Sequence, residues 1–200
     1  MANDAIVELE QKIYGLTLEL NQLKQQAERV EVPNYTFETN EGTVHLSELF
    51  GQHDRLIMIH NMGQGCRYCT LWGDGINTFL PHLEAAASVV MVSKDSPSVQ
   101  RTFANGRGWR FRTASHGGGD YIREQSAVPG QDNYPGVVGY ERDGNAIFRT
   151  NASPFGPGDL YCSFWNLLGV IGLDEKQFTP QYAYWQRPQT LDDGGENVLD

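Results

Sequence analysis

The chain has 200 residues, 40% of them hydrophobic, enough to bury one sizeable core with appendages rather than two full domains. Asp and Glu number 25 against 15 Lys and Arg, a formal charge of −10, and no basic stripe offsets it, which argues against nucleic acid as a partner. No apolar run approaches the length of a membrane span, and the opening MANDAIVELEQ is acidic and amphipathic rather than basic and then apolar, so neither a membrane nor a signal peptide is expected and a cytoplasmic location fits best.

Residues 4–30 predict one helix, in which Ile6, Leu9, Ile13, Leu16, Leu20, Leu23, Ala27 and Val30 recur at spacings of three and four. Isoleucine and leucine in this order suit a parallel pair of helices, hence a coiled-coil homodimer seam. A helix lying across its own domain produces the same pattern, and Gly15 weakens the seam. Pro33 ends the helix. Tyr35 to Phe37 and Thr43 to Leu46 then alternate around Asn40, Glu41 and Gly42, predicting a short hairpin, after which Ser47 is placed to cap a brief helix.

Leu56 to Ile59 is a continuous apolar run of the kind buried on both faces of a central parallel strand. It leads into HNMGQGCRYCTLW, His60 to Trp72, where a helix is expected to begin near Cys66, to be interrupted at Gly73 and Gly75, and to resume through Ile76, Phe79, Leu80 and Leu83 with a kink at Pro81. Val89 to Val92 is the next buried strand. Ser96 and Pro97 start another helix, with Val99 and Phe103 as core contacts and Gly106 or Gly108 as its stop. Trp109 to Ser115 reads as extended, and His116 to Tyr134 as a long glycine-rich loop. Gly136 to Tyr140 and Ala146 to Arg149 flank Arg142, Asp143 and Gly144 as a hairpin. A last helix is expected from Asp159 or Leu160, with Leu160, Phe164, Leu167, Leu168 and Ile171 as its apolar face and Gly172 as its end. The acidic stretch from Pro188 reads as a loosely ordered tail.

Of the three cysteines, Cys66 and Cys69 stand at i and i+3, a spacing that points to redox or metal chemistry. At a helix start the first thiolate meets unpaired backbone N–H groups and the positive end of the dipole, which favours the anion. Cys66 is therefore the expected nucleophile, Arg67 its neighbouring cation, and Cys69 the thiol that resolves a mixed disulfide. Zinc would need two more ligands, for which Cys162, His60 and His116 are the obvious donors. Cys66 as a peroxidatic thiol, with Cys69 resolving its sulfenic acid, is a second alternative. A third leaves both thiols buried and inert. The sequence calls for no cofactor and no metal.

GCRYCTLWGDG, GWRF at Gly108 to Phe111, YPGVVGYERDG at Tyr134 to Gly144 and FGPGDLYCSFW at Phe155 to Trp165 occur in an order that resembles the thioredoxin-like domain-of-unknown-function 899 family, over about Val32 to Tyr184. The resemblance implies an α/β, three-layer thioredoxin-like fold with a central mixed sheet. The expected organisation is an N-terminal amphipathic helix over 1–32, that domain over 33–174, and a C-terminal extension with an acidic tail over 175–200. It further implies that Pro135 is a cis-proline, with Tyr134 and Gly136 beside it lining a substrate groove. His60 stands where thioredoxin keeps a buried acid behind its second cysteine, and is proposed as the proton acceptor. Arg67 and Tyr68 replace the Gly-Pro between thioredoxin's cysteines, and this dipeptide tunes the redox potential. Trp72 and Trp109 read as core residues or as shields of the disulfide, and Cys162 as a small buried hydrophobe.

The expected function is that of a thiol–disulfide oxidoreductase acting on a protein or small-molecule thiol or disulfide. The alternatives are a thiol peroxidase of peroxiredoxin-like type and a non-catalytic binding or assembly module.

Overall fold

The computed structural model describes residues 2–182, and the acidic stretch from Pro188 lies outside them. The chain opens with a 25-residue helix, α1 (Ala2–Gln26), whose seam positions from Ile6 to Leu23 are all exposed. It runs through Gly15 but stops short of Val30. Val30 and Glu31 instead form a short strand, β1, paired antiparallel with Arg149 and Phe148. Sheet hydrogen bonds thus claim a residue that the heptad spacing assigned to the helix, and Pro33 keeps the following chain extended.

The predicted hairpin is present as β2 (Thr36–Thr39) and β3 (Gly42–His45), and a brief helix follows, α2 (Leu46–Leu49). Its cap is His45 and not Ser47. The His45 N–H donates to Glu48 at 2.7 Å, while the Ser47 N–H is already taken by Asn34 Oδ1 at 2.9 Å.

The apolar run from Leu56 becomes β4 (Arg55–His60), at the centre of an eight-stranded mixed sheet. β4 pairs in parallel with β5 (Ser88–Ser93) and antiparallel with β7 (Gly136–Asp143). Outside β5 lie β6 (Arg112–Ser115) and then the β2–β3 hairpin; outside β7 lie β8 (Ala146–Pro154) and β1. Because side chains alternate along a strand, Leu56, Met58, Val90, Val92, Val138 and Tyr140 face one layer, packed with α2 and the helix α5 (Asp120–Gln125). Ile59, Val89 and Met91 face the other, beneath α3 (Arg67–Glu84), α4 (Pro97–Arg107) and α6 (Ser163–Val170).

Three expectations are corrected here. α3 is not interrupted at Gly73 or Gly75. Gly73 lies against the Trp109 ring, where a Cβ would approach to 2.6 Å, so this glycine serves close packing rather than a break. α5 occupies part of the predicted loop from His116 to Tyr134. It is too short to show a helical period, yet it buries Tyr121, Ile122 and Gln125. The last helix begins at Ser163, because the Asp159 carboxylate builds a separate turn ahead of it by accepting the N–H groups of Gly156, Tyr161 and Cys162. Its buried side carries Trp165 with Phe164 and Leu168 packed alongside, whereas Leu167 and Ile171 of the expected face are exposed. The helix stops are as predicted: Gly108 at φ 68° and Gly172 at φ 76° take left-handed conformations that suit glycine.

Candidate active site

The loop between β4 and α3 is fastened before it delivers the cysteines. The Asn61 N–H donates to Val92 O (2.9 Å), and its side-chain oxygen accepts the Gly63 N–H (2.8 Å). Asp95, from the β5–α4 connection, accepts the Gln64 N–H at 2.7 Å. Gly63 sits at φ 115° with the Asp95 carboxylate where a Cβ would come within 2.9 Å, so both its backbone angle and its surroundings require glycine.

Cys66 is the N-cap of α3. Its backbone is extended (φ −97°, ψ 102°), its Sγ accepts the Cys69 N–H at 3.1 Å, and its carbonyl accepts from both the N–H (3.0 Å) and the hydroxyl (2.9 Å) of Thr70. Cys66 and Cys69 are joined as a disulfide with their Cα atoms 5.3 Å apart. Cys66 is half-buried and Cys69 is buried. Cys66, the expected nucleophile, is therefore the more open of the two, at the end of the helix where backbone N–H groups converge.

Beside Cys69 lies a groove of about 320 Å³. Tyr68 and Trp72 of α3 form one wall, Tyr134 and Pro135 another, and Phe155, Gly156 and Pro157 a third. The walls are held from behind. The Trp72 indole N–H donates to Asp159 at 2.8 Å, and its ring stacks on Phe155 with centroids 6.1 Å apart. Tyr68 stacks on Trp165, also at 6.1 Å. Asp159 thus receives four N–H donors and ties the turn after β8 to α3. Trp109, on the far side of Gly73, donates to Asp74, which also pairs with the Arg107 guanidinium.

The structure brings together Cys66, Cys69, Tyr134 and Pro135 among the expected site residues. It departs from expectation at Pro135, since every peptide bond among the described residues is trans. The chain is turned into β7 by Asn133 at φ 55°, and the Pro135 carbonyl accepts the Phe155 N–H at 2.9 Å. Gly136 is buried beneath the groove, where a Cβ would meet Ala127 at 2.5 Å and the Ser153 carbonyl at 2.6 Å. Arg67 turns to Gln181, its guanidinium donating to Oε1 at 3.3 Å.

His60 closes β4 in register with Val92 and Gly136. It follows Leu56 and Met58 onto the α5 face and away from the layer that α3 covers. Its Nε2 lies 2.7 Å from the Tyr121 hydroxyl, while Nδ1 is buried without a hydrogen-bond partner among the described residues. Burial, with smaller contributions from His116 and Arg149, pushes the pKa of His60 down to about 3, and burial with Lys94 pushes His116 to about 4. Both rings are neutral at pH 7. Cys162 is a free, buried thiol held high by burial. Among the described residues no group of three His, Cys, Asp or Glu is placed to hold a metal, and no helix is long and apolar enough to cross a membrane.

The sequence matches, over residues 2–189, the family described as "Bacterial protein of unknown function (DUF899)". The chain belongs to this family. The resemblance read from the cysteine, GWRF, YPG and FGPGD motifs is thereby borne out, and the match extends beyond it to take in α1. No curated protein matches the chain in sequence. Among solved structures, Enterococcus faecalis AhpC is 14% identical with a TM-score of 0.52, covering 72% of this chain and 88% of that one. Xanthomonas campestris Peroxiredoxin Q is 17% identical with a TM-score of 0.48 over 68% and 88% of the two chains. A candidate protein disulfide isomerase from Bacteroides thetaiotaomicron is 18% identical with a TM-score of 0.49 over 72% and 91%.

The sequence does not reveal the parts played by Phe155, Gly156, Pro157 and Asp159. The available signal was FGPGDLYCSFW, a run too rich in turn residues and aromatics to be only the opening of a helix.

Proposed function

We propose that this chain is a dithiol–disulfide oxidoreductase. The observation that carries the proposal is the half-buried capping sulfur of Cys66 with buried Cys69 one turn behind it, the two joined as a disulfide. In the reduced chain, the Cys66 thiolate attacks one sulfur of a substrate disulfide. That bond breaks, and the departing thiolate takes a proton from solvent. Cys69, as its thiolate, then attacks Cys66 Sγ, releases the second substrate thiol and leaves the Cys66–Cys69 disulfide. The reverse sequence oxidises a dithiol. His60, on the opposite face of the sheet, takes no part in this reading.

Equilibration in graded reduced and oxidised dithiothreitol, with free thiols labelled afterwards, tests the proposal. Cys66 and Cys69 should interconvert as a pair, and Cys66→Ser should abolish insulin reduction. A pair that never forms would sink exchange, and unaltered behaviour of both serine variants would favour the non-catalytic module. Peroxide consumption dependent on Cys66, with insulin untouched, would assign the alternative chemistry: oxygen transfer to Cys66 as sulfenic acid, then condensation with Cys69 to water and the disulfide. A cytoplasmic setting, where thiol pools keep such a pair cycling, suits this reading.

We infer in addition that two copies associate through α1, because its seam at heptad spacing is exposed along its length and an isolated amphipathic helix gains its stability mainly from packing.

A further inference from the structure

We propose that the groove beside Cys69 selects polypeptide disulfides whose cysteine has a bulky aromatic or aliphatic neighbour, by taking up that side chain, and discriminates against small anionic disulfides such as glutathione disulfide. The proposal rests on the dithiol–disulfide reading above.

Among the described residues the lining carries no carboxylate, ammonium or guanidinium; its rings are Tyr68, Trp72, Tyr134 and Phe155, joined by Pro135 and Pro157. Such a surface gains by burying apolar area and by offset or edge contacts between rings, and it offers an anion nothing in exchange for its water. The whole chain carries a charge of −10, which further repels a small polyanion. The volume of about 320 Å³ is at the low end for ligand sites, roughly 300–1,000 Å³, and fits one large side chain better than an extended ligand. The walls are fixed in advance: Asp159 holds Trp72 and the turn at Gly156, and Trp165 backs Tyr68. Little ordering entropy is therefore lost when a side chain enters.

Recognition by backbone pairing at Pro135 is weakened in this chain. The Pro135 carbonyl already accepts the Phe155 N–H at 2.9 Å, and Gly136 is buried against Ala127 and Ser153. Side-chain packing is left as the stronger source of selectivity. The reaction is the one written above: Cys66 attacks the sulfur of the cysteine beside the bulky side chain, the other half of the substrate disulfide leaves as a thiolate, and Cys69 then releases the peptide thiol.

The experiment uses the full chain, reduced with dithiothreitol and freed of it, mixed with two peptides identical except for Phe or Ser beside a cysteine capped as its methyl disulfide. Acid quenching, thiol labelling and mass measurement give the rate of Cys66–Cys69 oxidation. The Phe peptide should react about tenfold faster than the Ser peptide, in keeping with the worth of one apolar side chain in a pocket, and glutathione disulfide no faster than the Ser peptide. Tyr134→Ala should erase the preference by slowing the Phe peptide toward the rate of the Ser peptide, while Tyr134→Phe should keep it. Equal rates for Phe and Ser in the native chain, or a full preference in Tyr134→Ala, would overturn the groove assignment alone. Failure to exchange even with oxidised dithiothreitol would instead remove the underlying dithiol reading.

Discussion

Asp159 illustrates how one side chain can set a site it does not itself line. Its carboxylate accepts N–H groups from Trp72, Gly156, Tyr161 and Cys162, so Asp159→Ala should leave four donors to find new partners. The expected loss is about 2–4 kcal/mol in urea unfolding, with a larger fall in kcat/KM for peptide disulfides than for oxidised dithiothreitol. Gly73→Ala is expected to cost about 1–3 kcal/mol by overpacking, since its Cβ would press on the Trp109 ring. An unchanged unfolding midpoint would show that the ring yields freely. The cysteine pair was legible in the sequence because its spacing is itself the chemistry. The face of His60 was legible too, in principle: strand alternation from Ile59 puts it opposite the helix that carries the cysteines. Asp159 was not, because an acidic residue ahead of an apolar run looks the same whether it starts a helix or builds a turn before one.

At the scale of elements, strands β4 and β5 and the β7–β8 hairpin were readable from apolar runs and turn residues. α5 was not, because a helix of this length gives periodicity too little room, and its burial depends on a sheet assembled from distant segments. The helical spacing of α1 was legible from Ile6 to Leu23, and the structure leaves those side chains exposed. Leu9→Glu with Leu16→Glu in the full chain should therefore give a monomer in a light-scattering mass measurement, with disulfide exchange per chain unchanged. A native chain that is already monomeric at high concentration would remove the dimer.

Across the whole molecule, the two buried histidines make acid stability a test of packing. His60 and His116 have folded pKa values of about 3 and about 4 against an ordinary 6.5, so below pH 6.5 the unfolded chain binds protons that the folded chain refuses. Stability is fully present above that pH and falls as the solution is acidified toward the folded values, by up to about 1.4 kcal/mol per pH unit for each histidine. Urea midpoints measured between pH 7 and 5 should fall, and His60→Gln should flatten the slope; an unchanged slope would show that His60 is protonated in the native state. One further consequence concerns the joint between α1 and the sheet. Only Ala27, Glu28 and Arg29 connect them, and Arg29 is pinned by Asp143 at 3.1 Å, by Glu141 at 3.6 Å and over the Phe148 ring. Copies joined through α1 would then form a stiff bivalent body instead of two domains on tethers. Spin labels placed near the two cysteine pairs should report one narrow separation, and a client with two disulfides would be engaged at both only when their spacing matches it.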